Sequence, residues 1–444
     1  MSPPYLFTLL MGKVAGRVLR DRNNRLGFAY DSAWSDADAA ETGDRPVPLS
    51  LSMLPGALEH GHKTIEAFLW GLLPDNATVL DRWAKRFQVS ARSPFALIAH
   101  VGEDCAGAVQ FVREERLQDV LAPDASEIAW LDEGELGDRL RALREDEAAW
   151  RGPRDVGQFS LAGAQAKTAL LFLGGRWGVP SGRIGTTHIL KPPLATFDGH
   201  VENEHLCLSL ARALGLPAAR SEVRRFAGEA AIVIERYDRV ATATMAGMAD
   251  LARTQPVLRL HQEDMCQALA LPPTAKYQSE GGPGPSRIVE LLRTYSSRPD
   301  EDVSTFVEAL AYNWLIAGTD GHAKNYSVLH GGGGRVRLAP LYDLASALPY
   351  QGLDQERLEL AMKVGDKYRL RHIGRADWEK LAHQVGRTPI ETIEQVANLA
   401  ARLPEKVALV RDRMLADGLT HPIIDRLSAL LAERAKHCLG ALRG

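Results

Sequence analysis

The chain has 444 residues, 45% of them hydrophobic and 25% charged, and a formal net charge of -3. That composition belongs to an ordinary folded protein of about two to four structural units and excludes a disordered or collagen-like chain. A protein that grips nucleic acid unaided normally carries a basic excess, so any nucleic-acid contact is expected to come mainly through a partner.

The four cysteines, Cys105, Cys207, Cys266 and Cys438, are far apart and form no C-x-x-C pair. Neither a disulfide framework nor a cysteine zinc cluster is expected, which points to a reducing, cytoplasmic compartment. The first residues lack a basic segment and a small-residue cleavage pattern, so no signal peptide is expected. No run approaches the roughly 20 apolar residues that cross a membrane.

In the first third, Tyr5–Leu10 and residues 14–19 read as strands around Gly12 and Gly16, and Leu26–Tyr30 as a third. Residues 36–45 are polar and acidic and read as a surface loop. Residues 64–73 read as a helix, and Asp75 or Asn76 as the N-cap of the next one. A charged stretch over 133–151 reads as an exposed helix plus linker, and a boundary is expected there. From 156 to about 238 the pattern is β-rich. Thr168–Leu173 is a strand ending in a Gly174-Gly175 turn, and 186–191 is another, stopped by Pro192-Pro193. Residues 202–214 read as a helix with Leu206, Leu210 and Leu214 one turn apart, closed by Gly215. Residues 223–226 and 230–235 form a hairpin around Gly228. Beyond that the chain is mainly helical, over 288–294, 303–316, 378–385, 389–403 and 424–439. The four glycines 331–334 suit a hairpin tip and lack the Gly-Lys-Ser/Thr of a Walker loop.

The expected architecture is α+β and two-lobed, like a protein kinase, with a β-rich N-lobe, a helical C-lobe and an additional N-terminal β-rich subdomain. The expected boundaries are 1–150, 151–240 and 241–444.

The segment with the strongest chemistry is Gly318-Thr319-Asp320-Gly321-His322-Ala323-Lys324-Asn325, at the end of an apolar helix. Asp320 and Asn325 have the separation of the Asp and Asn in a kinase catalytic loop. Such an Asp accepts or orients the substrate hydroxyl proton, and such an Asn binds the metal that neutralises phosphate charge. Asp343 follows a strand at 336–338, where a carboxylate can hold Mg²⁺ by one oxygen. Lys191, at a strand end in the small lobe, suits a phosphate-binding lysine, with Glu202 or preferably Glu204 as its partner. Residues 157–168 carry small residues and Gly163, so backbone N–H groups could approach phosphate. Residues 232–239 lead from a buried strand into a polar segment where the lobes should join, so the backbone there could read an adenine edge. Taken one at a time these residues have plainer readings as helix caps, turn residues or solvated strand ends; together they point to phosphoryl transfer.

Several of these stretches together resemble the HipA-type serine/threonine kinases, the toxins of bacterial HipBA type II toxin–antitoxin modules. The resemblance is carried by residues 160–168, 187–193, 201–205, 233–239, 260–269 and 318–325 and by Tyr342-Asp343. In the N-terminal subdomain, residues 49–53 and 71–76 carry it. It implies ATP and Mg²⁺ as cofactors, Asp320 as catalytic base, and Asn325 and Asp343 as metal ligands. It implies Lys191 on the ATP phosphates, Leu161, Ala162 and Gly163 as the phosphate loop, and Glu235, Tyr237, His322 and Tyr342 around the nucleotide. Ser160 matches a serine that such kinases autophosphorylate, which should expel the loop and switch the enzyme off. The implied partners are a helix-turn-helix, HipB-like antitoxin, operator DNA mainly through that antitoxin, and a protein substrate such as an aminoacyl-tRNA synthetase. Ala166 departs from the acidic residue that members often carry, which could alter the loop's on/off balance. Two other readings stand beside this one: an ATP-binding corepressor scaffold with little kinase activity, and a small-molecule or lipid phosphotransferase on the same fold.

Overall fold

The computed structural model describes residues 4–35, 46–57, 59–122, 127–146, 149, 160–242 and 256–443. The acidic loop expected at 36–45, residues 157–159 of the expected phosphate loop and part of the expected linker before 151 lie outside the described residues. No helix among the described residues is long and apolar enough to cross a membrane.

The N-terminal unit is a five-stranded antiparallel sheet, ordered β4-β3-β2-β1-β5, with helices packed on it. Its strands are β1 (Tyr5–Leu10), β2 (Lys13–Arg20), β3 (Leu26–Tyr30), β4 (Glu59–His60) and β5 (Val109–Val112). Gly16 is required where β2 meets β3, because a Cβ there would lie 2.3 Å from the Ala29 carbonyl. The helices are α1 (His62–Leu72), α2 (Ala77–Phe87), α3 (Pro94–Val101) and α4 (Glu114–Leu121). On α1, Ile65, Phe68, Leu69 and Leu72 recur at helical spacing and are buried in the sheet's core. Asn76 rather than Asp75 caps α2, its side chain accepting from the Thr78 and Val79 N–H groups at 3.0 and 3.3 Å. Asp75 is thereby left for other work.

The second sheet is six-stranded, ordered β10-β11-β9-β7-β8-β6. It comprises β6 (Ile128–Leu131), β7 (Thr168–Leu173), β8 (Arg176–Pro180), β9 (His188–Lys191), β10 (Ser221–Phe226) and β11 (Glu229–Glu235). Its edge strand β6 comes from before the boundary expected at 150. Helix α5 (Glu133–Glu145) follows β6 and buries Leu136 and Leu140 against Leu170, Trp177 and Phe226 of this sheet. The strand expected at 186–191 begins at His188, because Thr186 turns its hydroxyl onto Asp104 at 2.7 Å. Helix α6 (His200–Leu214) ends where Gly215 takes φ +98°.

The short ribbon β12 (Arg239–Ala241) and β13 (Val257–Arg259) leads to the C-terminal lobe. There, β14 (His261–Asp264), β15 (Ser327–Gly331) and β16 (Arg335–Leu338) form a small sheet, and 332–334 is the tip of its second hairpin. The ribbon β17 (Glu359–Val364) and β18 (Lys367–Arg369) lies further on. The helices are α7 (Met265–Ala268), α8 (Pro285–Tyr295), α9 (Pro299–Ile316), α10 (Arg375–Gln384), α11 (Pro389–Ala416) and α12 (Ile423–Ala441). Helix α11 runs well past the end expected at 403, with Pro404 inside it. Leu403, Val407, Val410 and Met414 continue its buried stripe, and that packing outweighs the roughly 3 kcal/mol an interior proline costs.

Helix α9 sets up the site. Pro299 and three acids open it, as its missing N–H and its dipole favour. Phe306, Tyr312 and Trp314 bury it in the main core, and Ala317 stops it at φ +52°. The chain then enters the loop that carries Asp320.

Candidate active site

A cavity of about 140 Å³ lies between the six-stranded sheet and the C-terminal lobe. Ile189, Ala219 and Ile234 form an apolar wall, with Glu235, Tyr237 and Tyr342 beside it. At the other end stand Lys167, Lys191, His322, Asn325 and Asp343, with Leu161, Ala162 and Gly163 above. The cavity shares Gly163, Lys167, His322, Asn325 and Asp343 with a neighbouring cleft of about 520 Å³, whose lining includes Asp320. Ser160 lines neither.

The segment after β11 is braced against the N-terminal unit by buried ion pairs and hydrogen bonds. Arg236 pairs with Asp238 at 3.0 and 2.9 Å and bonds the Cys105 carbonyl at 2.9 Å. Asp238 accepts from the Gly107 N–H at 2.7 Å. Asp104, from the N-terminal unit, bonds Arg239 at 2.9 Å and also pairs with Arg259. Burial alone would raise the Asp104 carboxyl, but the Arg259, Arg239 and Arg236 guanidiniums hold it well below the usual range. With Arg236 and Asp238 bonded to the N-terminal unit, the whole run from Glu235 to Asp238 borders the cavity.

Lys191 ends β9. Its ammonium donates to Glu204 Oε1 at 2.7 Å and pairs with Asp343. Glu204, not Glu202, is therefore its helix partner. Burial would raise Asp343, but Lys191 and Lys167 more than offset it, so the carboxylate stays ionised. Asp343 sits at φ +53°, a left-handed conformation unusual for a non-glycine residue. Its neighbour Tyr342 is pinned by bonds to the Lys324 carbonyl at 2.7 Å and Ser327 Oγ at 2.6 Å.

Asn325 donates its Nδ2 to the Asp320 carbonyl at 2.7 Å, which leaves the amide oxygen as its remaining polar atom. Among the described residues no cluster of three or more His, Cys, Asp or Glu side chains is arranged for a metal. The available donors are thus one carboxylate and one amide oxygen. That hard, incomplete oxygen set fits Mg²⁺, which takes its remaining ligands from phosphates and water. The Asp320 side chain is 69% exposed, accepts from Tyr277 Oη at 2.5 Å and lies 3.8 Å from His322 Nε2.

The phosphate-loop candidate is packed down. Ser160 is buried and donates its Oγ to the Leu72 carbonyl at 2.8 Å. Leu161 and Ala166 join the core of the N-terminal unit. Gly163 takes φ +102°, and a Cβ there would come within 2.6 Å of the Lys167 ammonium. Lys167 in turn donates to the Ala162 carbonyl at 2.6 Å.

Three contributors were not legible beforehand. Asp75 donates its N–H to the Gly163 carbonyl at 3.1 Å while its carboxylate takes Lys324 at 2.6 Å and Lys276 at 3.0 Å. It thereby joins the phosphate-loop candidate to the Asp320 loop. Tyr277 reaches Asp320 from 43 residues away, and Lys167 adds a second buried cation. Lys167 was visible in the motif but had no assigned role. Asp75 lay in a stretch that carries the resemblance but was read only as a helix cap, and Tyr277 carries no local signal, because the partners of both are distant in sequence.

A family model described as the HipA-like C-terminal domain matches residues 159–407, and one described as the HipA N-terminal domain matches residues 7–112. The sequence is 35% identical over 429 residues to a putative kinase of Sinorhizobium fredii, covering 96% of each chain. It is 29% identical over 364 residues to the serine/threonine-protein kinase toxin HipA of Shewanella oneidensis, covering 78% of this chain and 77% of that one. Among solved structures, the Shewanella oneidensis HipA, HipB and operator DNA complex matches with a TM-score of 0.81. The identity there is 25%, covering 98% of this chain and 97% of the matched one.

Proposed function

The chain belongs to the HipA family of protein serine/threonine kinases, and on that premise we propose that Asp320, Asn325, Asp343 and Lys191 are its phosphotransfer machinery. The observation that carries this reading is the convergence of Lys191, Asn325 and Asp343 on a cavity that opens into the cleft holding Asp320. The apolar wall at Ile189, Ala219 and Ile234 takes the adenine, with the backbone at Glu235 and Tyr237 along its edge and Tyr342 and His322 nearby. Lys191, kept cationic between Glu204 and Asp343, faces the phosphates, and the backbone at Leu161, Ala162 and Gly163 covers them. Mg²⁺, when bound through Asn325 and Asp343, neutralises phosphate charge. The acceptor hydroxyl oxygen bonds to the γ-phosphorus, the bond to the β–γ bridging oxygen breaks, and the hydroxyl proton passes to Asp320.

The protein substrate in this reading is a translation-related protein such as an aminoacyl-tRNA synthetase, and Ser160 is an autophosphorylation site. A HipB-like antitoxin is the partner and supplies most of the contact with operator DNA. The Shewanella oneidensis complex, which contains HipA, HipB and operator DNA, and the net charge of -3 of this chain support that assignment. Phosphoproteomics after brief expression of wild type and of Asp320→Gln tests the whole reading. New phosphoserine or phosphothreonine on a translation protein, and on Ser160, is expected only with wild type; identical phosphoproteomes refute it.

A further inference from the structure

We propose that the cleft beside Asp320 contains a subsite for an apolar side chain of the protein substrate, within two residues of the acceptor hydroxyl. The proposal rests on the kinase reading and deepens it by naming the chemistry of the substrate segment. Beside Asp320, Asn325 and Asp343, and with the charged Lys167, Glu204 and Lys276 elsewhere in its lining, the cleft is lined by an apolar group of Leu194, Phe197, Ala347, Tyr350 and Leu353. The Phe197 and Tyr350 rings pack 4.8 Å apart.

This wall is preformed. Asn203 of α6 donates to the Ser346 carbonyl at 2.8 Å and to Tyr350 Oη at 3.1 Å, and accepts from the Ser346 N–H at 2.9 Å. The Ala347 N–H bonds the Ala317 carbonyl at 3.1 Å, which ties the wall to the end of α9 just before Asp320. His200 also lines the cleft. Its buried Nδ1 has no hydrogen-bond partner among the described residues, and burial pushes its pKa down to about 4, so it adds no charge. A rigid, neutral, largely apolar wall next to the transferring group rewards a hydrophobic neighbour of the acceptor and penalises a charged one. The occupant is a segment of polypeptide because the cleft is continuous with the site of transfer. The chain's own candidate acceptor obeys the same rule, since Ser160 stands between Phe159 and Leu161.

The test uses the full-length enzyme, γ-labelled ATP with Mg²⁺, and a degenerate peptide library centred on a fixed serine, with the full-length Asp320→Gln chain as a protein acceptor. Leu, Met or Phe within two positions of the serine should be favoured over Asp or Gly by about tenfold. Phe197→Ser should abolish that preference through the peptide KM and not the ATP KM. Leu353→Trp, which narrows the cleft without removing its apolar character, should shift the preference to smaller side chains. An active wild type with a flat library profile, or variants that keep the wild-type preference, overturns the subsite alone. No transfer to any peptide or to the Asp320→Gln chain overturns the kinase reading and the subsite with it.

Discussion

Asp320 and Asp343 are both carboxylates on the same cleft, yet their surroundings give them different work. Asp320 is largely exposed and holds one hydroxyl donor, Tyr277, so it remains available to a second hydroxyl. Asp343 is kept ionised by Lys191 and Lys167, the state its proposed metal role requires. Asp320→Gln should lower phosphotransfer by about 10²–10⁴-fold, the usual worth of a general base. Nucleotide affinity should stay unchanged in a fluorescent-ATP titration. Asp343→Asn should instead weaken Mg²⁺-dependent ATP binding itself. Lys167 gives a pH signature. Burial pushes its ammonium down to about 8, so this cation at the cavity is lost as pH rises through that value. The kcat/KM for ATP should therefore fall on an alkaline limb near pH 8. Lys167→Met should lower kcat/KM below that pH and erase the limb, as a pH profile of both proteins would record.

Asp75 decides how the elements around the site are held. It lies between α1 and α2, its N–H bonds the Gly163 carbonyl of the phosphate-loop candidate, and its carboxylate grips Lys324, next to Asn325. Burial would raise that carboxyl, but Lys324 and Lys276 together hold it below its ordinary value. Asp75→Asn leaves Lys324 buried without its counter-charge, which should cost about 3 kcal/mol in urea unfolding. It should also lower kcat, because the two loops lose their common anchor. The helix lengths carry a related lesson. The helix was expected to end at 403, but its apolar stripe continues past Pro404 and the core keeps the helix intact.

Across the whole molecule, the N-terminal unit packs against the candidate site. The phosphate-loop candidate packs Leu161 and Ala166 into the N-terminal core, and Ser160 bonds to the end of α1. A phosphate on the buried Ser160 Oγ would bring about two negative charges into a space that now holds a neutral hydrogen bond. The loop must leave that position to be phosphorylated and cannot return to it afterwards. Incubation with Mg²⁺ and ATP should therefore make the 160–168 segment sensitive to limited proteolysis in wild type. Asp320→Gln should stay protected under the same conditions. Equal protection in both would show that the loop does not respond to transfer.

The sequence by itself pointed to kinase chemistry. The Asp, Asn, second Asp and Lys proposed for phosphate transfer sit in tight turns and at strand ends, which are local, so their spacing is readable along the chain. It also determined most elements, whose periodic apolar faces and caps are likewise local: the hairpin around Gly228, the stop of α6 at Gly215 and the helix leading to Asp320. Only the tertiary structure decided which distant groups complete the site. The Lys191–Glu204 pair was preferred in advance over Glu202, but Asp75 with Lys324, Tyr277 with Asp320 and β6 beside β8 had no signal. Such contacts join residues far apart in sequence, and long-range closure is set by how whole elements pack.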